Sequence, residues 1–357
     1  MSTEPKSRAL LRTASRVVVK CGTSIVTNEN GQVSLTRLGA IAEQISELVK
    51  SGTEVIFVSS GAVGMGKRVL RKQGQMSLSL NELHSAASYG GDSDGNSIDN
   101  HLRDSNSMKA RPGLSTTDSF LNLLSESNKQ KQYDSACAAA GQFELMNFYS
   151  SLFSQREISC SQILVTQADF QDEGRLQNLR YAIGRLLGLG IVPIINENDA
   201  VSANVGWSPS VFSDNDSLSA LCARSFGAQV LLMLTDVDGV FDRPPSEEGA
   251  KMVSFFTEED DVTIGEKSTH GRGGMSAKIE AATNAVKPGS ECMACVVVSG
   301  SDYDCVRAIL GKHNPKFGPP KGTLFATPGS LLHNVASEEA KAEMVCPSKV
   351  VSKTYSL

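Results

Sequence analysis

The sequence predicts an α/β protein, a three-layer α/β/α sandwich around a mostly parallel central sheet. Three observations predict it. Apolar, β-branched runs alternate with segments of helical periodicity between residue 16 and about residue 299. Several of those runs, VLLML (230–234) and CVVVS (295–299) among them, lack polar alternation, so both of their faces must be covered. Polar clusters follow directly after several strands, where open α/β sheets bind their ligands.

Taken in order, RVVVK (16–20) reads as the first strand. Leu38, Ile41, Ile45 and Leu48 are spaced by three or four residues, which predicts an amphipathic helix over 35–50. EVIFVSS (54–60) is a buried strand, and GAVGMGKRVL opens a helix after it. SQILVT (161–166), IVPIIN (191–196), VLLML and CVVVS are further strands. Helices at about 133–155, 174–189, 214–226 and 275–287 separate them. Residues 74–130 are rich in Ser, Asn, Asp and Gly and hold too few apolar groups to offset the entropy of ordering, so a disordered insertion is expected there. Residues 1–15, with Lys6, Arg8 and Arg12, read as a flexible, solvated tail more than as an organelle-targeting stretch. Residues 331–357 read as a C-terminal tail, which leaves one domain over 16–330.

The chain has 357 residues and a net charge of −5, a balance that argues against a nucleic-acid partner. No apolar run is long enough to cross a membrane, and a cytoplasmic location is expected. The eight cysteines are scattered, and Cys21, Cys222 and Cys295 sit in apolar segments that suit buried, reduced thiols. Cys292 and Cys295 form a CxxC, but no second pair stands at zinc spacing. The five histidines are dispersed and form no HExxH.

The chemistry gathers in six motifs. In KCGTS (20–24) a lysine ends a strand and a glycine turn at Gly22 follows, a pairing of point charge and backbone N–H groups that can cradle phosphate. SSGAVGMGKR (59–68) nearly fits a P-loop, but Arg68 stands where the metal-binding hydroxyl belongs. Small residues at that helix start suit a carboxylate as well as a phosphate, and close packing by Gly61 and Gly64 would explain the glycines without any ligand. INENDA (195–200) and SDNDSLSA (213–220) supply carboxylates and amides for an amino acid. Asp199 suits an α-ammonium group, and Asn196 or Asn215 suits carboxylate oxygens. Asp214 has a second reading as a helix N-cap. Asp216 lies in the first turn, beyond the need for capping, where its charge could hold two lysines. TDVDGVFD (235–242) ends a strand in a turn. GRGGMSAK (271–278) is a glycine-rich approach to a helix with Lys278 one turn in.

In series, KxGTS, SSGAVG, INENDA, DNDSLSA, TDVDGVFD and GGMSAK resemble the glutamate 5-kinases of the amino-acid kinase superfamily, over residues 16 to about 326 apart from the insertion. AAAGQFELMNFY (138–149), SQILVT and KSTHGRGGM look most like the kinase half of the eukaryotic bifunctional pyrroline-5-carboxylate synthetases. The resemblance implies the amino-acid kinase fold and transfer of phosphate from ATP, with Mg2+, to the γ-carboxylate of L-glutamate, the first step of proline biosynthesis. It implies that Lys20 and Lys278 stabilise the transferring phosphoryl group and that Asp216 orients them. Ser60, the Gly61–Ala62 backbone, Asn196, Asp199, Asp214 and Asn215 would bind glutamate. Lys20, Gly22, Thr235, Asp236 and the loop Arg272, Gly273, Gly274, Met275, Ser276, Ala277 and Lys278 would bind ATP. Protein ligands of the metal are not indicated. The resemblance also implies proline as a feedback inhibitor and a homo-oligomer. The chain shows no reductase half, so a separate glutamyl-phosphate reductase is expected. Arg272 departs from the family's usual small or apolar residue. The alternatives are a kinase of this fold with another acceptor and a non-catalytic module that senses glutamate or proline.

Overall fold

The computed structural model of the chain describes residues 6–28, 32–73, 126–202, 212, 214–257, 274–311 and 321–345. The chain divides into two compact units: Met1–Gly61 with Met146–Asn198 and Gly206–Leu357, and Ala62–Leu145 with Asp199–Val205.

The first unit is built on one seven-stranded sheet. Its strands are β1 (Arg16–Cys21), β2 (Glu54–Ser59), β3 (Cys160–Val165), β4 (Val192–Glu197), β5 (Val230–Thr235), β6 (Ala294–Ser299) and β7 (Thr323–Ala326). They lie in the order β3-β4-β2-β1-β5-β6-β7. All neighbouring pairs are parallel except β6 and β7. The six expected strands appear within one residue of their predicted places. The short β7, TLFA, has no sequence signal of its own, because four residues show no periodicity and its place depends on pairing with β6.

β5 and β6 are buried along their whole length, as continuous apolar runs covered on both faces should be. On one face, Val18, Ile56, Val58, Ile195, Leu231, Met233 and Val297 form a core with the helices Glu173–Gly188, Asn215–Ser225 and Met275–Ala285. Each fully buried Val, Leu or Ile there contributes roughly 1.5–3 kcal/mol. The alternate residues Val19 and Phe57 point the other way, where the Phe57 and Tyr149 rings meet edge to face at 5.2 Å. The Leu35–Lys50 helix buries Leu38, Ile41 and Ile45, the stripe its spacing predicts.

Both expected tails need correction. Residues Lys6–Leu11 form a helix that buries Arg8 and Leu11, and Leu331–Val345 form a longer helix. The Glu339 carboxylate accepts the Lys6 backbone N–H at 2.6 Å, and the Arg8 guanidinium donates to the Gly322 carbonyl at 2.7 Å. These contacts join residues more than three hundred positions apart, so neither segment alone looks ordered. The expected insertion is outside the described residues up to 125, and its last residues belong to the Glu126–Ser154 helix, which starts earlier than the expected 133.

In the second unit, helical residues 62–73 pack against the Glu126–Ser154 helix as far as Leu145. A Cβ added at Gly66 would lie 1.7 Å from the Cys137 carbonyl oxygen, and one at Gly141 would lie 1.9 Å from that of Ala62. The two backbones touch, and only glycine fits. Lys67 pairs with Asp134 at 3.0 Å. Gly66 and Lys67, both within the segment that nearly fits a P-loop, thus have structural roles that involve no phosphate.

Candidate active site

The pleat of β1 decides where Lys20 points. It shares a face with Val18, two residues earlier, and that face is covered by the Asn215–Ser225 and Met275–Ala285 helices. Asp216 sits in the first turn of one helix and Lys278 one turn into the other. Lys20 Nζ lies 2.5 Å from Asp216 Oδ1, and Lys278 Nζ lies 3.2 Å from Asp216 Oδ2. The side chains of Lys20 and Asp216 are each 5% exposed and that of Lys278 14%. One carboxylate therefore faces two ammonium groups at the C-terminal end of β1, and the cluster keeps a net positive charge. Burial alone would raise the Asp216 pKa, but Lys20 and Lys278, by charge and hydrogen bond, hold it below the ordinary carboxylate value.

The strand order places this cluster at a switch point. β1 connects outward to β2 on one side, and β5 returns on its other side, the reversal of strand order at which open α/β sheets bind ligands. Thr235 ends β5, buried, with its hydroxyl donating to the exposed Asp236 carboxylate at 3.0 Å. Gly22 follows β1; its N–H donates to the Leu234 carbonyl at 3.4 Å, so that donor is turned toward the sheet. Gly274 is the N-cap of the Met275–Ala285 helix and supplies no side-chain cap, which leaves the N–H groups of Met275, Ser276 and Ala277 without a capping partner from it. Arg272 and Gly273 lie outside the described residues.

A second polar group forms where β2 and β4 end. The Asn215 side-chain Nδ2 lies 2.9 Å from Ser60 Oγ, 3.0 Å from Asn196 Oδ1 and 3.4 Å from the Ser59 carbonyl oxygen. A carbonyl only accepts, and Asn196 Oδ1 already accepts the Glu197 N–H at 3.0 Å. The nitrogen of Asn215 must therefore face them, and its orientation is fixed. Its Oδ1 is buried and has no hydrogen-bond partner among the described residues. Such a buried acceptor leaves room for a donor from a water, a neighbouring segment or a ligand. Gly61, at φ +106°, turns the chain beside it, where a Cβ would sit 2.9 Å from Val26 Cγ1. Gly64, expected to be a close contact too, has no described atom within 4 Å of such a Cβ.

Asp214 is the N-cap of the Asn215–Ser225 helix, its Oδ1 accepting the Ser217 N–H at 2.8 Å in a reciprocal capping box. Ala62 and Asp199 belong to the second unit, where Ala62 opens the 62–73 helix. The CxxC carries no sign of reactivity. Cys292 and Cys295 are fully buried, and burial pushes the Cys292 thiol up to about 12 and the Cys295 thiol well above its ordinary value. The residue that sequence reading missed is Tyr149, whose phenol meets Ser59 Oγ at 2.6 Å across ninety positions of sequence. No local pattern announces such a pairing.

The amino acid kinase family model matches residues 15–299. The chain is 33% identical over 359 residues to delta-1-pyrroline-5-carboxylate synthase A of Arabidopsis thaliana, covering 99% of this chain and 43% of that protein. It is 32% identical over 331 residues to a glutamate 5-kinase of Citrifermentans bemidjiense, covering 91% of this chain and 71% of that one. The chain thus spans less than half the length of the plant synthases it matches. An isopentenyl phosphate kinase of T. acidophilum superposes with a TM-score of 0.50 over 87% of this chain and 99% of that chain, and at 14% identity it speaks for the fold alone. The matched region contains β1 through β6 and both lysines of the buried cluster, and the chain belongs to the amino acid kinase family.

Proposed function

We propose that the chain transfers the γ-phosphoryl group of ATP to the γ-carboxylate of L-glutamate, giving the acyl phosphate that begins proline biosynthesis. The observation that carries this reading is the buried Lys20–Asp216–Lys278 cluster at the end of β1. The names of the similar synthases and kinases support the choice of glutamate.

A glutamate carboxylate is already ionised at pH 7, so the attacking oxygen needs no general base. The obstacle is repulsion between that carboxylate and the phosphates, and the transfer needs positioning and charge neutralisation. Lys20 and Lys278 supply the charge, and Asp216 holds both ammonium groups in fixed places. The Ser60 hydroxyl accepts from Asn215 and keeps its own proton for a carboxylate oxygen of the acceptor. The Asn215 Oδ1 acceptor is suited to the acceptor's ammonium group, as are the carboxylates of Asp199 and Asp214. Thr235, Asp236 and the 272–278 segment bind the nucleotide in this reading.

Mg2+ supplies further charge neutralisation at the phosphates when bound. Among the described residues no group of three or more His, Cys, Asp or Glu side chains could hold an ion, and Asp216 is engaged through both oxygens. A magnesium ion carried mainly by the nucleotide phosphates would need no dedicated protein cage. No helix among the described residues is long and apolar enough to cross a membrane, and we place the reaction in the cytoplasm. A reductase must consume the acyl phosphate, and proline competes at the glutamate subsite.

The test is ADP release coupled to hydroxylamine trapping, with purified protein, Mg2+, ATP and L-glutamate. Glutamate-dependent hydroxamate is expected, lost in Lys278→Ala. Folded protein that binds glutamate and forms none would refute the reading.

A further inference from the structure

We propose that Tyr149 is a positioning residue for the acceptor subsite, acting through Ser59 to fix the Ser60 hydroxyl. The inference rests on the kinase reading above and adds a residue to it.

Ser59 and Ser60 are adjacent at the end of β2, so their side chains leave opposite faces of the sheet. Ser60 meets Asn215, on the helix that also carries Asp216. Ser59 meets Tyr149, on the Glu126–Ser154 helix. The two serines thus tie a helix on each face to one turn of backbone.

The protons in that turn can be assigned. The Ser59 hydroxyl donates to the Ser60 carbonyl at 3.0 Å, which uses its only proton. The 2.6 Å contact between Ser59 Oγ and the Tyr149 hydroxyl therefore has the phenol as donor. The Ser60 N–H donates to the Cys21 carbonyl at 3.1 Å, next to Lys20. Ser60 is then held at its N–H, its carbonyl and its hydroxyl, by Cys21, Ser59 and Asn215. Tyr149 starts the chain that holds the carbonyl. The phenol is 1% exposed, and its burial, with a smaller contribution from nearby Cys21, raises its pKa well above the ordinary value, so it stays protonated and donating.

This arrangement exceeds what packing requires. The tyrosine ring already packs edge to face on Phe57, and a phenylalanine would keep that contact. The hydroxyl adds one directed bond aimed at the backbone of the acceptor turn. Without it, Ser59 Oγ has no donor from the phenol and its hydroxyl is free to leave the Ser60 carbonyl. The turn then loses one of its three anchors while the Lys20–Asp216–Lys278 cluster stays in place.

Tyr149→Phe is the test, with Ser59→Ala and the double variant to close a cycle. Expected is a rise of about tenfold in KM for L-glutamate, the scale of one buried hydrogen bond. The KM for ATP should stay within about twofold, with kcat changed less than the glutamate KM. The double variant should be no worse than the worse single one, because both cut the same chain. A lowered Tm with an unchanged glutamate KM, or additive effects in the double variant, would overturn the proposal and leave Tyr149 a packing residue. Failure of the kinase reading is distinct: the unmodified protein would then form no hydroxamate with glutamate. The same cycle would be read with whichever carboxylate acceptor a panel of amino acids reveals, and independence of the two side chains there would refute the coupling.

Discussion

Replacing Asp216 with Asn removes the charge at the centre of the site and little else. Aspartate and asparagine are nearly isosteric, so packing is kept. At 2.5 and 3.2 Å, with an effective dielectric near 20, the gross attraction to each ammonium is roughly 5–7 kcal/mol. Most of it is offset by the cost of taking the three charges out of water, but removing one partner leaves the others buried and uncompensated, which typically costs about 3–5 kcal/mol. The variant amide keeps one acceptor, so it can hold one lysine and must turn NH2 toward the other. A loss near 3 kcal/mol lowers Tm by about 4 °C in a chain of this size, and kcat should fall about 10²–10³-fold because a transition-state donor is no longer fixed. The stability has a pH signature as well. The folded pKa of Asp216 is depressed, so its contribution is full above the unfolded carboxylate value of about 4 and is lost as pH falls through the lower folded value. Thermal unfolding from pH 7 down to pH 2, in wild type and variant, should show the two Tm curves converging at the acid end. Parallel curves, or a variant with unchanged Tm and kcat, would refute the claim that this carboxylate organises the lysines.

Other outcomes are equally specific. Lys278→Ala should lose about 10²-fold or more in kcat, measured by coupled ADP release, with folding intact by circular dichroism. Asp199→Ala should raise KM for glutamate while the ATP dissociation constant is unchanged in calorimetry; equal weakening of both substrates would remove it from the glutamate subsite. Gly66→Ala should destabilise the second unit by about 3 kcal/mol or more, since its Cβ would lie 1.7 Å from a backbone oxygen. Limited proteolysis within 62–145 would report that loss, and a variant as resistant as the wild type would contradict the close helix contact.

The sheet was legible in the sequence because its strands are continuous β-branched runs, and local pattern is enough to mark them. RVVVK and EVIFVSS declare themselves, and the period-two pleat even tells which face Lys20 shares with Val18. The motif residues Lys20, Asn215, Asp216 and Lys278 were legible too, as polar groups at a strand end and at two helix starts whose roles the family resemblance implies. What the chain could not announce is everything set by distance in three dimensions. Whether Asp216 meets both lysines depends on two helices lying side by side over β1. Lys6 and Arg8 belong to an ordered helix because Glu339 and Gly322 come to meet them. Gly66 has no evident task in the sequence until Cys137, seventy-one residues on, is found against it. Tyr149 reads as one aromatic among several until its hydroxyl reaches Ser59. Local sequence fixes the elements through backbone sterics and the periodicity of burial; the site needs side chains from remote elements within hydrogen-bond distance, and only the packed tertiary structure brings them together.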